Sequence, residues 1–255
     1  MQRLVFISPL GGSGCTTLAA HISVLAVQRG SDCLALDLSP GNMLGRYLGL
    51  PSCAAQGWSN ALLQQQWWGQ TAMANSAGLQ YLPRGYLNDQ ECSHLQAHWQ
   101  SHPNWLSENL QALDLSSSTL VVMDAPPPCS PLGRQALQAA DLAVVVLDAS
   151  ERTLQAHAAI QALQQSLAPQ TRLQLVVNRY APRRPTQQAA LEQLRQQWGE
   201  ALLPDLVHDD EAICEALSQG LCVHQRLPDA QSAHDFQGLA FRLLSDLALL
   251  PQDPP

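Results

Sequence analysis

Seven consecutive residues, Gly11-Gly12-Ser13-Gly14-Cys15-Thr16-Thr17, carry the clearest chemical signal in this chain. They follow the apolar run Leu4-Val5-Phe6-Ile7 and lead into a helix-like run from Leu18 to Val27. A strand that feeds closely spaced glycines and then a helix N-terminus gathers several backbone N–H groups around one point, where the helix dipole also favours an anion. The expected chemistry is phosphate binding. Three further polar residues close apolar runs: Asp37 after Cys33-Leu34-Ala35-Leu36, Asp124 after Leu120-Val121-Val122-Met123, and Asn178 after Leu173-Gln174-Leu175-Val176-Val177. Carboxylates near a hydroxyl such as that of Thr16 suit Mg2+, which takes oxygen ligands and keeps several waters. Each signal also has a plainer reading: a glycine-rich turn without a ligand, a cap at Asp37 or Asp124, and a turn-closing Asn178.

These residues meet only if the elements bearing them share one sheet edge. In an open α/β sheet the carboxyl ends of parallel strands lie together, and ligands bind there. The runs Thr119–Asp124, Leu142–Asp148 and Leu173–Asn178 read as buried strands, with a helical stretch from about Glu151 to Leu167 between the last two. That βαβ rhythm implies a parallel sheet. The expected fold is α/β, a doubly wound, mostly parallel sheet flanked by helices, in a single domain over 1–255. A helix is expected to end at Gly220, and a final amphipathic helix to run from about Ser232 to Leu249 and pack on the sheet. Between about 44 and 105 periodicity is weak, and Trp58, Trp67, Trp68, Trp99 and Trp105 stand in a Gln-rich background with a short strand-like run, Leu79–Leu82. Those tryptophans either fill space beneath long connections or anchor an interface, where Trp is enriched.

Composition narrows the function classes. The net charge is −8, the thirteen cations are all arginine, and their scatter (including Arg183-Arg184, read as solvated loop charges) gives no basic face for nucleic acid. Seven cysteines, at 15, 33, 53, 92, 129, 214 and 222, form no Cys-x-x-Cys pair and read as reduced thiols. No secretory leader pattern is seen, and no apolar run approaches the ~18 residues of a membrane span. The last helix carries Arg242 against Asp235 and Asp246, so it lacks the cations of an interfacial anchor. A cytoplasmic location is expected.

The glycine loop resembles the deviant Walker A motif of the ParA/MinD (SIMIBI) family of P-loop ATPases, Lys-Gly-Gly-x-Gly-Lys-Thr-Thr, with both lysines replaced. Leu10 stands at the signature lysine that reaches a partner's nucleotide, and Cys15 at the lysine that holds the β and γ phosphates. The segment Asp37-Leu38-Ser39-Pro40-Gly41-Asn42 is similar to the family's Asp-x-Asp-Pro-x-x-Asn, with Ser39 in place of the acid linked to the attacking water. The run Thr119–Asp124, followed by Ala125-Pro126-Pro127, resembles a Walker B strand. The resemblance implies a P-loop NTPase fold and ATP or ADP held by Gly11, Gly12, Ser13, Gly14, Cys15, Thr16 and Thr17. It also implies Asn178 on the adenine edge and Mg2+ at Thr16, Asp37 and Asp124. One lost charge-assisted hydrogen bond costs roughly 1.5–3 kcal/mol, about 10- to 150-fold in affinity. Binding survives such a loss more readily than hydrolysis, which needs cations on the charge that develops at the γ-phosphate.

The segments Gln56–Leu62, Leu79–Gly85 and Leu202–Ala216 narrow the resemblance to the accessory proteins of bacterial cellulose synthesis, the BcsQ group, whose P-loop lysines are also substituted. This implies an accessory or assembly factor for cellulose synthesis and secretion that binds ATP with weak or no hydrolysis, a pseudo-ATPase. It further implies a homodimer around nucleotide, contact with a small partner protein and other cytoplasmic components of the synthase complex, and recruitment to the inner membrane through those partners. Nucleic acid and direct membrane insertion are not expected. Two alternatives stay open: an active ParA/MinD-like partitioning or localisation ATPase, if an arginine such as Arg46 or Arg179 or a partner's residue reaches the phosphates, and a nucleotide-free scaffold.

Overall fold

The computed structural model describes residues 1–50, 56–75 and 77–248. In chain order the first elements are β1 (Gln2–Ile7), α1 (Cys15–Gln28), β2 (Cys33–Asp37), α2 (Leu44–Tyr47) and α3 (Trp58–Leu63). A 3-10 turn (Trp68–Thr71) leads to β3 (Met73–Ala74), β4 (Gln80–Leu82), α4 (Asp89–Ser101), α5 (Trp105–Gln111) and β5 (Leu120–Asp124). Then come α6 (Pro131–Ala139), β6 (Leu142–Leu147), α7 (Glu151–Gln155), α8 (His157–Gln165), β7 (Arg172–Tyr180) and α9 (Pro185–Trp198). The last elements are β8 (Leu202–His208), α10 (Glu211–Ser218), α11 (Val223–Arg226) and α12 (Gln231–Ala248). Cys53 and Leu249 lie outside the described residues.

The strands form one eight-stranded sheet in the order β3-β4-β2-β5-β1-β6-β7-β8, parallel throughout except for the β3–β4 pair. The chain winds from β1 toward β2 and β5 on one side, then crosses to β6, β7 and β8 on the other. That reversal puts a crevice over the carboxyl end of β1. Both faces of the central strands are covered, which explains their continuous apolar runs. Successive residues of β1 serve opposite cores: Val5 and Ile7 pack with the layer of α3, α4, α5, α6, α8 and α9, while Leu4 and Phe6 pack with α1 and α12.

Local chemistry sets the element ends. Asn88 accepts from the Glu91 N–H at 2.9 Å while Glu91 accepts from the Asn88 N–H at 2.8 Å, a reciprocal cap that starts α4. Ser130 caps α6, where Pro131 occupies the first helical position, and Ser150 caps α7. The stretch expected as one helix from Glu151 to Leu167 is two segments meeting at Ala156, whose N–H is shared by the Arg152 and Thr153 carbonyls. Pro204 sits in β8, which it can do because β8 is a sheet edge. The last helix packs against β8 and α1, burying Phe236, Leu239, Leu243 and Leu247.

The tryptophan-rich region is less irregular than its sequence pattern. It supplies β3 and β4 to the same sheet and helices α3 and α4 to one face. Trp58, Trp68, Trp99 and Trp105 are buried in one cluster, with ring centroids 5.7–6.2 Å apart. Of the two readings, space filling describes these four, whereas Trp67 is 47% exposed.

Candidate functional site

The loop between β1 and α1 is shaped from inside by serines. The Ser8 and Ser13 hydroxyls are 3.0 Å apart, Leu10 N–H donates to Ser8 Oγ at 3.1 Å, and Ser13 Oγ donates to the Leu10 carbonyl at 2.8 Å. Gly12 and Gly14 hold φ of 78° and 100°, conformations that favour glycine. A side chain at Gly14 would collide with the Asn178 amide, while Gly11 and Gly12 have open space where a Cβ would stand.

These residues line a cleft of roughly 400 Å3, within the usual range for small-molecule sites. Leu10, Gly11, Gly12, Ser13, Gly14, Cys15, Thr16 and Thr17 contribute the floor. Ser39, Pro40, Met43 and Tyr47 form one wall, Asp124 to Pro127 another, and Arg179 stands at the rim. Thr16 Oγ1 donates to Asp124 Oδ2 at 2.6 Å. Thr17 Oγ1 lies 2.8 Å from the Tyr47 hydroxyl, and the Thr17 carbonyl accepts from His21 Nδ1 at 2.7 Å. His21 Nε2 in turn accepts from Val223 N–H at 3.0 Å, which fixes a neutral tautomer, and burial pushes its pKa down to about 3. Stacked on Phe236 at 3.9 Å, this ring ties the first turn of α1 to α11 and α12.

Asp37 and Asp124 are register partners at the ends of β2 and β5, and both are buried. Burial pushes both carboxyls up, Asp37 to about 7, and the Asp37 charge raises Asp124 further. At Asp37 the rise is opposed by N–H groups of Leu44 and Ser39, each 3.0 Å from a carboxyl oxygen, and by the buried Arg84 guanidinium. Arg84 also donates to the Leu38 carbonyl at 2.8 Å and lies over the Trp99 ring. Asp37 thus carries the cap geometry, with both oxygens held by the backbone, and it does not line the cleft.

Asn178 is also off the cleft lining. Its Nδ2 donates to the Ser13 carbonyl at 2.8 Å, and its buried Oδ1 has no hydrogen-bond partner among the described residues. Arg179 follows it and donates from Nη1 to the Gly12 carbonyl at 2.9 Å. Arg46 does not line the cleft. Burial pushes the Cys15 thiol well above its usual range, so the side chain at the lysine position is uncharged.

The residue types singled out in the sequence therefore converge at one crevice, although two of them stand off its lining: Asn178 supports the loop through the Ser13 carbonyl, and Asp37 caps the turn that follows β2. Tyr47, Met43 and Arg84 escaped sequence reasoning. A basic residue just after the Pro83 break was the available signal for Arg84, and Tyr47 had none, because α2 is too short for a pattern. The groups lining the cleft fit a phosphorylated ligand with its cation: open glycines and helix N–H groups for the phosphates, and the Thr16–Asp124 hydroxyl–carboxyl pair for the metal. Among the described residues no cluster of three or more His, Cys, Asp or Glu is arranged for a metal. A Mg2+ here would be held by Thr16 and Asp124, with water and ligand oxygens completing its shell.

A family model described as cellulose biosynthesis protein BcsQ matches residues 1–244. The cellulose biosynthesis protein BcsQ of Escherichia coli (strain K12) is 30% identical over 233 residues, covering 90% of this chain and 89% of that protein. The chromosome-partitioning ATPase Soj of Thermus thermophilus is 28% identical over 251 residues, covering 96% of each. Among solved structures, the septum site-determining protein MinD of Pyrococcus horikoshii, complexed with Mg-ADP, superposes with a TM-score of 0.77. It is 20% identical, with 99% of both chains covered.

Proposed function

The chain belongs to the BcsQ family of cellulose biosynthesis proteins, and from that premise we propose that it is a nucleotide-binding assembly factor for cellulose synthesis and secretion with weak or no ATP hydrolysis. The observation that carries this reading is the cleft itself, where an intact glycine cradle and the Thr16–Asp124 pair are kept although both lysine positions, Leu10 and Cys15, are uncharged. The relative in Thermus thermophilus is named an ATPase and the similar MinD structure holds Mg-ADP, which supports ATP or ADP with Mg2+ as the ligand. Gly11 to Thr17 would bind the phosphates through backbone N–H groups, and Thr16 and Asp124 would hold the cation. When bound, Mg2+ neutralises phosphate charge.

Hydrolysis is disfavoured for two reasons. Leu10 and Cys15 place no cation on the γ-phosphate, and Ser39 lines the cleft where a second carboxylate would orient water. The output we propose is assembly: a nucleotide-stabilised homodimer that binds a small partner protein and other cytoplasmic components of the synthase, and is brought to the inner membrane by them. In support, among the described residues no helix is long and apolar enough to cross a membrane. In a cellulose-producing host, deletion should lower secreted cellulose, the wild-type chain should restore it, and Thr16→Ala should not. Normal cellulose from the deletion strain would contradict the role, and full restoration by Thr16→Ala would contradict its dependence on nucleotide.

A further inference from the structure

Asn178 and Arg179 are neighbours on β7, yet both reach the same loop. On a regular strand consecutive side chains point to opposite faces, so an Asn178 that contacts the Ser13 carbonyl should send Arg179 away from it. Two departures from regularity prevent that. The register between β7 and β8 shifts between Val177 and Tyr180, and Arg179 holds φ of 56°. Left-handed backbone is rare for a long side chain, persists only where surrounding structure holds it, and concentrates at functional sites. A local irregularity of this kind re-aims a side chain. Here it brings the guanidinium back over the loop onto the Gly12 carbonyl, at the rim of the cleft.

Other cations near the cleft are committed or absent from it. Arg152 reaches the Gly11 carbonyl at 3.4 Å but pairs with Asp148 at 3.0 Å, Arg84 is buried beside Asp37, and Arg46 is not in the lining. Arg179 has no ion pair among the described residues, and the Gly12 contact uses one of its five N–H donors. A planar guanidinium suits phosphate oxygens. Resting on the nucleotide reading above, we propose that Arg179 is the phosphate-binding cation of this cleft. It acts from β7 as a binding cation where the lysines at positions 10 and 15 are missing; because Ser39 supplies no carboxylate to orient water, it strengthens phosphate binding without restoring hydrolysis, and it makes the site selective for nucleoside di- and triphosphates over nucleosides.

The test titrates the full chain and its variants with Mg-ATP, Mg-ADP and, by competition at millimolar concentration, adenosine. Arg179→Ala should weaken ATP and ADP about 10- to 150-fold, the range for one charge-assisted contact, and leave adenosine unchanged. Arg179→Lys should recover most of the loss, as should Cys15→Lys added to Arg179→Ala. Arg179→Gly relieves the left-handed strain, so it should melt no lower than wild type while losing the same affinity. ATP affinity unchanged in Arg179→Ala would overturn the proposal, as would equal losses for ATP and adenosine, which mark a merely structural role. A wild-type chain that binds no nucleotide would instead overturn the nucleotide reading, and this inference with it.

Discussion

Asp37 and Asp124 stand side by side at the ends of β2 and β5, and their burial makes a second negative charge costly. The sign of the pH dependence follows. An acid with a raised pKa keeps its proton in the native state after the unfolded chain has released it, so rising pH favours the unfolded state. Stability from this pair is present below the ordinary carboxylate range and is lost as pH rises toward about 7, where Asp37 titrates. In magnesium-free buffer, Asp124→Asn keeps an acceptor for Thr16 and removes the conflict. Its melting temperature should match wild type near pH 4 and exceed it by at least ~2 °C at pH 8, the shift about 1 kcal/mol gives in a chain of this size. A constant difference across that window would contradict the account. That Thr16 and Asp124 meet was foreshadowed by a glycine loop before a helix and an acid at a strand end, the features that carry the resemblance. The aim of Arg179 was not, because it depends on a positive φ that no local sequence signal announces.

At the scale of elements, the four buried tryptophans show why the middle of the chain was hard to read. Helical periodicity registers one apolar stripe over several turns, whereas α3 has six residues and α5 seven, and their cohesion comes from ring contacts between elements far apart in sequence. Trp58 is the hub. It is fully buried against Trp68, Trp99 and Trp105, and its indole N–H donates to the Asp37 carbonyl at 2.7 Å, linking this cluster to the end of β2. Trp58→Ala should cost ~3–5 kcal/mol in urea unfolding, as large-to-small core changes do. Trp67→Ala, at a position 47% exposed, should stay within about 0.5 kcal/mol of wild type. Equal costs at the two positions would show that the cluster is not the organising contact. The start of α4 is set locally instead, by Asn88 and Glu91, three residues apart, which cap it reciprocally.

For the whole molecule, the sheet was largely visible in the sequence because its inner strands are buried on both faces and so read as unbroken apolar runs. The edges were less visible: β3 has two residues, and β8 carries Pro204 and Asp205 because one side of it is free of sheet partners. The crevice at the reversal over β1 was implied by the glycine loop and the acids at two strand ends; the glycine loop with Thr16 and Asp124 carries the proposal that the cleft binds nucleotide, and Leu10, Cys15 and Ser39 carry the proposal that it scarcely hydrolyses it. The direct test is calorimetric titration of the purified full chain with Mg-ATP, followed by chromatography of the recovered nucleotide. The account predicts saturable binding of one ATP per chain, with the ATP recovered intact. No saturable binding at millimolar Mg-ATP, or recovery as ADP after a short incubation, would contradict it.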